Sequence, residues 1–381
     1  MQYPIYLDNH ATTSLDRRVL TAMLPYFTEA YGNAGSAHAY GWEAEAAIKQ
    51  ARLTIAEILE AEAETIIFTS GATEANNLAI KGVAEVYFHQ GRHLITVQTE
   101  HQAVLAPCQY LESLGFEVTY LPVRPNGLVD LKQLEKALRP DTILVSVMAA
   151  NNEIGVLQPL GEIGQLCRQH QVIFHTDAAQ AIAKIPLDVE DLKIDLLSFT
   201  AHKIHGPKGI GGLYRRSGIK LAPQLHGGGQ EGGIRAGTLP TPLIVGMAKA
   251  LELAAQTMKS EGDRQRQLRD QLWQGLSQIG GIILNGDGHQ RLPGNLNISI
   301  EGVKGPQLLL ALQPHIALSS GSACSTRKPQ TSHVLEALGR DQTLAQASLR
   351  FGLSRFTISE DIQTAIGIVT KTITTLRQQF L

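Results

Sequence analysis

At 381 residues the chain exceeds what one small core needs, and its 43% hydrophobic and 18% charged content is that of an ordinary globular protein. A formal net charge of −2 gives no electrostatic ground for nucleic acid or an anionic membrane as partner, and no apolar run of about 18 residues suggests a transmembrane helix. The opening MQYPIYLDNHATT lacks a basic-then-apolar leader, and Cys108, Cys167 and Cys324 are too few and scattered for a disulfide framework or a CxxC metal site, so a reducing, cytoplasmic compartment is expected.

In chain order, β-branched runs predict strands at 65–70, 93–98, 117–123, 142–148, 172–178 and 196–201. Between most of them apolar residues recur three and four apart, as at Leu160, Ile163, Leu166 and Cys167. Continuous apolar strands separated by helices predict a largely parallel sheet covered on both faces. The stretch 250–279 reads as a long helix or a helix pair with a polar middle, and the pattern changes after it. Segments 294–300 and 315–321, each followed by helical stretches, predict a smaller α+β domain. The expected division is 15–255 for the large domain, with 1–14 and 256–381 forming the small one.

In sheets of this kind ligands bind beyond the carboxyl ends of the strands, so the residues just past each strand matter most. After 65–70 comes GATEANN, a glycine turn with Thr73 opening a helix. By itself it reads as an ordinary cap, and it can also serve as a phosphate cup. After 93–98 comes His101, structural or chemical. After 142–148 come two asparagines and a glutamate, turn residues or amide donors. The strand 172–178 carries Asp177, costly to bury unless a cation meets it, with Gln180 three residues on. The last strand leads into SFTAHKIHGPKGIGGLY, where Lys203 stands at the rim of the core ahead of a glycine-rich turn.

Each feature has a bland reading, yet together a carboxylate, an amine, a histidine, amides and a phosphate cup on one rim suit pyridoxal 5′-phosphate. The lysine would form its Schiff base, the aspartate would keep the pyridine nitrogen protonated, and the glycines would permit close backbone approach.

Nine fragments in order, YLDNHATT, GATEANN, EHQAV, NNEIG, HTDAAQ, AHKIHGPKG, RAGTLP, SSGSACS and LRFGLSRFT, resemble the NifS/IscS-type cysteine desulfurases. These belong to the fold-type I pyridoxal-phosphate enzymes, of aminotransferase class V-like fold, with a seven-stranded, mostly parallel sheet in the large domain. The resemblance implies Lys203 as the Schiff-base lysine, Asp177 opposite the ring nitrogen and Gln180 near the ring hydroxyl. It places His101 on the ring as a proton carrier and Thr73, Thr200 and His202 on the phosphate. Thr238 would reach the phosphate of a neighbouring subunit, which implies a homodimer with shared sites. Asn33, Asn152 and Arg350 would hold the substrate, Arg350 by its carboxylate. No metal site is implied, apart from contact of Cys324 with an iron–sulfur cluster during transfer.

Cys108 and Cys167 sit at helix-like apolar positions and read as core. Cys324 instead lies in SSGSACSTRKPQTS, about 319–331, a run of small and polar residues expected to be mobile, with Arg327 and Lys328 favouring the thiolate. The implied reaction turns L-cysteine into L-alanine. Sulfur passes to Cys324 as a persulfide and then to an iron–sulfur scaffold protein or a tRNA-thiolation relay. A cysteine/cystine C–S lyase or selenocysteine lyase on the same scaffold is the alternative, and the cysteine motif argues against it. Ala34, Gly35, Ala236 and Thr200 depart from the common pattern, the last preserving its hydroxyl.

Overall fold

The computed structural model describes residues 3–320 and 331–378. Its strands are β1 (Ile5–Tyr6), β2 (Ile66–Thr69), β3 (His93–Val97), β4 (Glu117–Leu121), β5 (Thr142–Ser146) and β6 (Ile173–Asp177). They continue as β7 (Leu196–Thr200), β8 (Gly211–Arg215), β9 (Ile282–Leu284), β10 (Asn295–Ile300), β11 (Ile316–Ala317) and β12 (Ser348–Gly352). Seven form one sheet in the order β2-β8-β7-β6-β5-β3-β4. Only β8 runs against the others, pairing antiparallel with both β2 and β7. The strands β3, β5, β6 and β7 are buried along their whole length, which is why they read as unbroken apolar runs.

The glycine-rich stretch after Lys203 departs from the expected turn: Gly211 and Gly212 open β8. A Cβ on Gly211 would lie 2.7 Å from the Gly71 Cα, and one on Gly212 would lie 2.3 Å from Cζ of Phe199. The glycines here admit the protein's own ring and backbone. Gly212→Ala is therefore expected to cost about 1–3 kcal/mol through overpacking, read as a lowered denaturation midpoint. An unchanged midpoint would show that Phe199 moves aside freely.

Among the described residues the buried apolar side chains form four clusters, one of them set on alternate strand positions of the large sheet around Ile67, Leu94 and Leu213, and a small one around Ile154 and Val334. The first of the two main cores packs on the large sheet and includes Phe68, Phe174, Phe199 and Tyr214. The second gathers Leu7, Leu296, Ile298, Phe351 and Ile362 around an antiparallel sheet of order β12-β10-β9. A single helix, Thr241–Ser277, joins them: Ile244, Leu251 and Ala254 enter the first core, and Leu268, Leu272 and Leu276 the second. The stretch 250–279 is thus continuous helix to Ser277, and position 255 falls inside it. The extreme N-terminus returns to the second core through β1, which pairs parallel with β11. Only Ile316 and Ala317 of the strand expected at 315–321 pair in this way. Strand β12 escaped prediction because Ser348 and Arg350 interrupt its apolar pattern, although all five of its residues are buried.

Candidate active site

The six co-directional strands bring their carboxyl ends to one edge of the sheet, and the residues singled out after each strand gather there because of that topology. Asp177 ends β6 and is buried. Its Oδ2 accepts from Nδ2 of Asn76 at 2.7 Å and its Oδ1 from the Ala179 amide at 2.9 Å. Among the described residues both donors are neutral, so a carboxylate sits in the core edge without a cation. Beside it Glu100 is fully buried, its Oε1 accepting from the Met148 amide. Burial, then the charge of Asp177, pushes the Glu100 carboxyl well above the usual range. Both causes favour the uncharged form of the Glu100 carboxyl.

His101 caps the helix Gln102–Ser113, its Nδ1 accepting from the Ala103 amide at 3.1 Å. That bond fixes the proton on Nε2. The side chain is exposed yet crowded by protein, the condition of a ring on the wall of an open cleft. Desolvation lowers its pKa, Asp177 opposes this, and Lys203 and His333 reinforce it. The neutral imidazole is thereby favoured, with its proton on Nε2.

Lys203 closes the 3-10 turn Ala201–Lys203 directly after β7. Its Nζ donates to the carbonyl oxygens of His10 and, at 2.7 Å, Ala11. Gly71, with a φ of +154°, starts the helix Ala72–Tyr87 and lets Thr73 open its first turn. A Cβ on Gly71 would lie 4.0 Å from Oγ1 of Thr200, so the ends of β2 and β7 meet there. Thr73 lies at this helix start, where the first backbone amides have no partner within the helix and suit an anion. The Thr200 hydroxyl donates to the Ile210 carbonyl. His202 contacts Oγ1 of Thr12 through Nδ1, and burial with nearby Lys203 holds its pKa down to about 4.

The residues expected to hold substrate are more committed. Arg350 is buried, donating to Asp8 Oδ1 at 2.9 Å and to the Asn152 carbonyl at 3.0 Å, while its Nε has no partner among the described residues. Asn33 lies in an exposed turn, its Oδ1 accepting from the Gly35 amide. Gln180 is buried and engages His10 through both ends of its amide. Thr238 is exposed in the glycine-rich segment before the long helix. That segment is tied down by Glu231, which binds Arg52 and the Phe68 amide, and by Arg235, which binds Glu74.

Cys108 and Cys167 are buried, and burial pushes both thiols up, Cys108 to about 12, so neither is a nucleophile at neutral pH. Cys324 lies outside the described residues. Sequence reasoning missed His10, Asn76, Glu100, Lys184 and Glu231. Asn76 was legible in GATEANN, while Glu231 had no local signal.

The donor set fits pyridoxal phosphate: an uncompensated buried carboxylate for a ring cation, a helix start for a phosphate, and a lysine between them. Asp177→Asn is expected to keep most cofactor affinity and lose about 10²-fold in turnover, measured by titration with the cofactor and by alanine production. A near-normal rate would make the carboxylate structural.

Residues 5–364 match the aminotransferase class-V family. A cysteine desulfurase of Mus musculus is 53% identical over 363 residues, covering 94% of this chain and 79% of that protein. The cysteine desulfurase IscS of Methylococcus capsulatus is 51% identical, covering 99% and 94%. Among solved structures, a NifS-like protein superposes with a TM-score of 0.93 at 38% identity, covering 98% of this chain and all of that one. The structure described as SspA in complex with cysteine gives 0.84 at 39% identity, covering 93% and 100%. Matches of this identity span nearly the whole chain, and the chain accordingly belongs to the aminotransferase class-V family and, within it, to the cysteine desulfurases.

Proposed function

We propose that the protein takes L-cysteine to L-alanine, receives the sulfur on Cys324 as a persulfide, and passes it to an iron–sulfur scaffold protein or a tRNA-thiolation relay. The observation that carries this reading is the convergence on one sheet edge of Lys203, His101 and Asp177, the last with only neutral donors among the described residues, in a chain of this family. Pyridoxal phosphate, when bound, supplies an electron sink for the substrate Cα. Asp177 would hold the proton on its ring nitrogen, and Thr73, Thr200 and His202 would hold its phosphate. Lys203 would anchor it and carry protons to and from the substrate, with His101 as the second proton carrier. Arg350 and Asn152 orient the amino acid, and Asn33 meets it from the N-terminal loop.

In the sulfur step the Cys324 thiolate attacks the substrate sulfur. An S–S bond forms, the C–S bond breaks with its electron pair on carbon, and that carbon takes a proton to become alanine. A homodimer is part of the proposal, with Thr238 facing the partner's site. Its support is apolar surface at the start of the chain: Leu20, Leu24 and Phe27 on consecutive helices, the Tyr31–Tyr40 ring pair and Trp42 are all exposed. We place the enzyme in the cytoplasm.

The test is incubation with sulfur-labelled L-cysteine, with and without a candidate scaffold protein. Alanine and protein-bound label should appear in equal amounts, and the label should move to the acceptor. Release of the label as free sulfide in step with alanine, with none on protein, would replace the proposal by a lyase.

A further inference from the structure

The helix Ala72–Tyr87, whose start is assigned to the phosphate, carries an acidic residue in its first turn, Glu74. Ala75 is the first residue of that helix whose amide reaches a backbone carbonyl, that of Gly71 at 3.1 Å. The amides of Ala72, Thr73 and Glu74 therefore have no partner within the helix. A carboxylate beside them stabilises an empty helix start and works against an anion bound there. The side chains assigned to the phosphate bring no cation to offset it: Thr73 and Thr200 are neutral, and burial with nearby Lys203 holds the pKa of His202 down to about 4. A phosphate monoester carries about −1.5 to −2 charge near pH 7, so the charge of Glu74 has to be met by another group.

Arg235 meets it. Its Nε donates to Glu74 Oε1 at 2.7 Å and its Nη2 to Oε2 at 3.2 Å, a two-point contact between side chains each only 15% exposed. The same Oε2 accepts from the Ser70 amide at 2.7 Å, so the carboxylate reaches back across Gly71 to the residue that follows β2. Burial by itself would raise the Glu74 pKa, but the bonds from Arg235 and then Ser70 outweigh it and hold the carboxyl below its usual range. The neighbouring Glu231 has a guanidinium of its own: Arg52 engages both of its oxygens, at 2.5 and 3.0 Å, and the Phe68 amide adds a bond at 2.7 Å. Arg235 is left to Glu74.

We propose that Arg235 is a positioning residue for the cofactor phosphate: by pairing with Glu74 it cancels the negative charge in the first turn of the helix and leaves the amides of Ala72 and Thr73 free to hold an anion. The inference rests on the reading of this site as one for pyridoxal phosphate. Arg235 acts through Glu74, and the carboxylate in turn fixes the Ser70 amide ahead of the helix, so charge and geometry at the helix start are set by one contact.

The full-length protein, freed of cofactor, is titrated with pyridoxal 5′-phosphate and separately with pyridoxal, which keeps the ring and the aldehyde but has no phosphate. The absorbance change reports binding of each. Arg235→Gln leaves Glu74 uncompensated and should weaken pyridoxal phosphate by about tenfold or more, with pyridoxal changed less than about twofold. Adding Glu74→Gln to the same chain removes the charge and keeps an oxygen for the Ser70 amide, so most of the lost affinity for pyridoxal phosphate should return. Pyridoxal binding in each variant is also the measure of a folded site. An Arg235→Gln protein that binds pyridoxal phosphate as wild type does, or loses both compounds equally, would overturn the proposal. So would a double variant that binds pyridoxal phosphate no better than Arg235→Gln, because a merely structural tie is not rescued by removing its second partner. A wild type that takes up neither compound would refute the pyridoxal-phosphate reading separately.

Discussion

Lys203→Ala is expected to abolish the covalent link between protein and cofactor. After treatment with borohydride, wild-type protein should carry the cofactor mass on the peptide containing Lys203, and the variant should carry none. The reason is positional. Lys203 ends the short turn after β7, on the edge where Asp177 ends β6, and its amine reaches back to the backbone of His10 and Ala11. Lys184 lines one cavity with Lys203 and is the nearest substitute, but it lies beyond the end of β6, beside Gln180. Alanine formation should fall by about 10³-fold or more, because both the anchor and the proton carrier are lost. Trapping at Lys184 in wild-type protein would overturn the assignment.

Cys324→Ser is expected to separate cofactor chemistry from sulfur chemistry. The variant should bind pyridoxal phosphate normally and still change its absorbance on addition of L-cysteine, since none of the groups assigned to the cofactor involves residue 324. Alanine output should drop by about 10²-fold or more, because a serine hydroxyl is a far weaker nucleophile toward sulfur at neutral pH. In wild-type protein one turnover should add about 32 Da, one sulfur atom, to the Cys324 peptide. Cys108→Ser and Cys167→Ser should leave turnover intact and cost stability, since each places a hydroxyl in a closed core. Full alanine output from Cys324→Ser with free sulfide released would favour the lyase chemistry.

The elements legible in the sequence are those with strictly local causes. Strands β3, β5, β6 and β7 are buried on both faces, so each is a short run rich in apolar and β-branched residues without a helical spacing. Because successive parallel strands deliver their carboxyl ends to one edge, the residues just past each strand were enough to group His101, Asp177 and Lys203. Strand β8 was missed because glycine has no side chain to show a burial pattern. Its identity depends on Phe199 and Gly71 pressing against it from elsewhere in the fold. Strand β12 was missed because Arg350 interrupts its apolar run, and the partners that satisfy the buried guanidinium, Asp8 and the Asn152 carbonyl, lie far away in the chain.

The amino-acid order alone therefore determined the fold class, the rim of the sheet and the three groups most exposed to chemical interpretation, since local periodicity and a topological rule suffice for these. Tertiary structure decided which charges remain and which are removed. Among the described residues it gave Asp177 only neutral donors, pushed up the pKa of Glu100 beside it, fixed the ring proton of His101 on Nε2, and set Lys184 on the same cavity as Lys203. Protonation depends on burial and on partners brought together across hundreds of residues, and no local pattern carries that information.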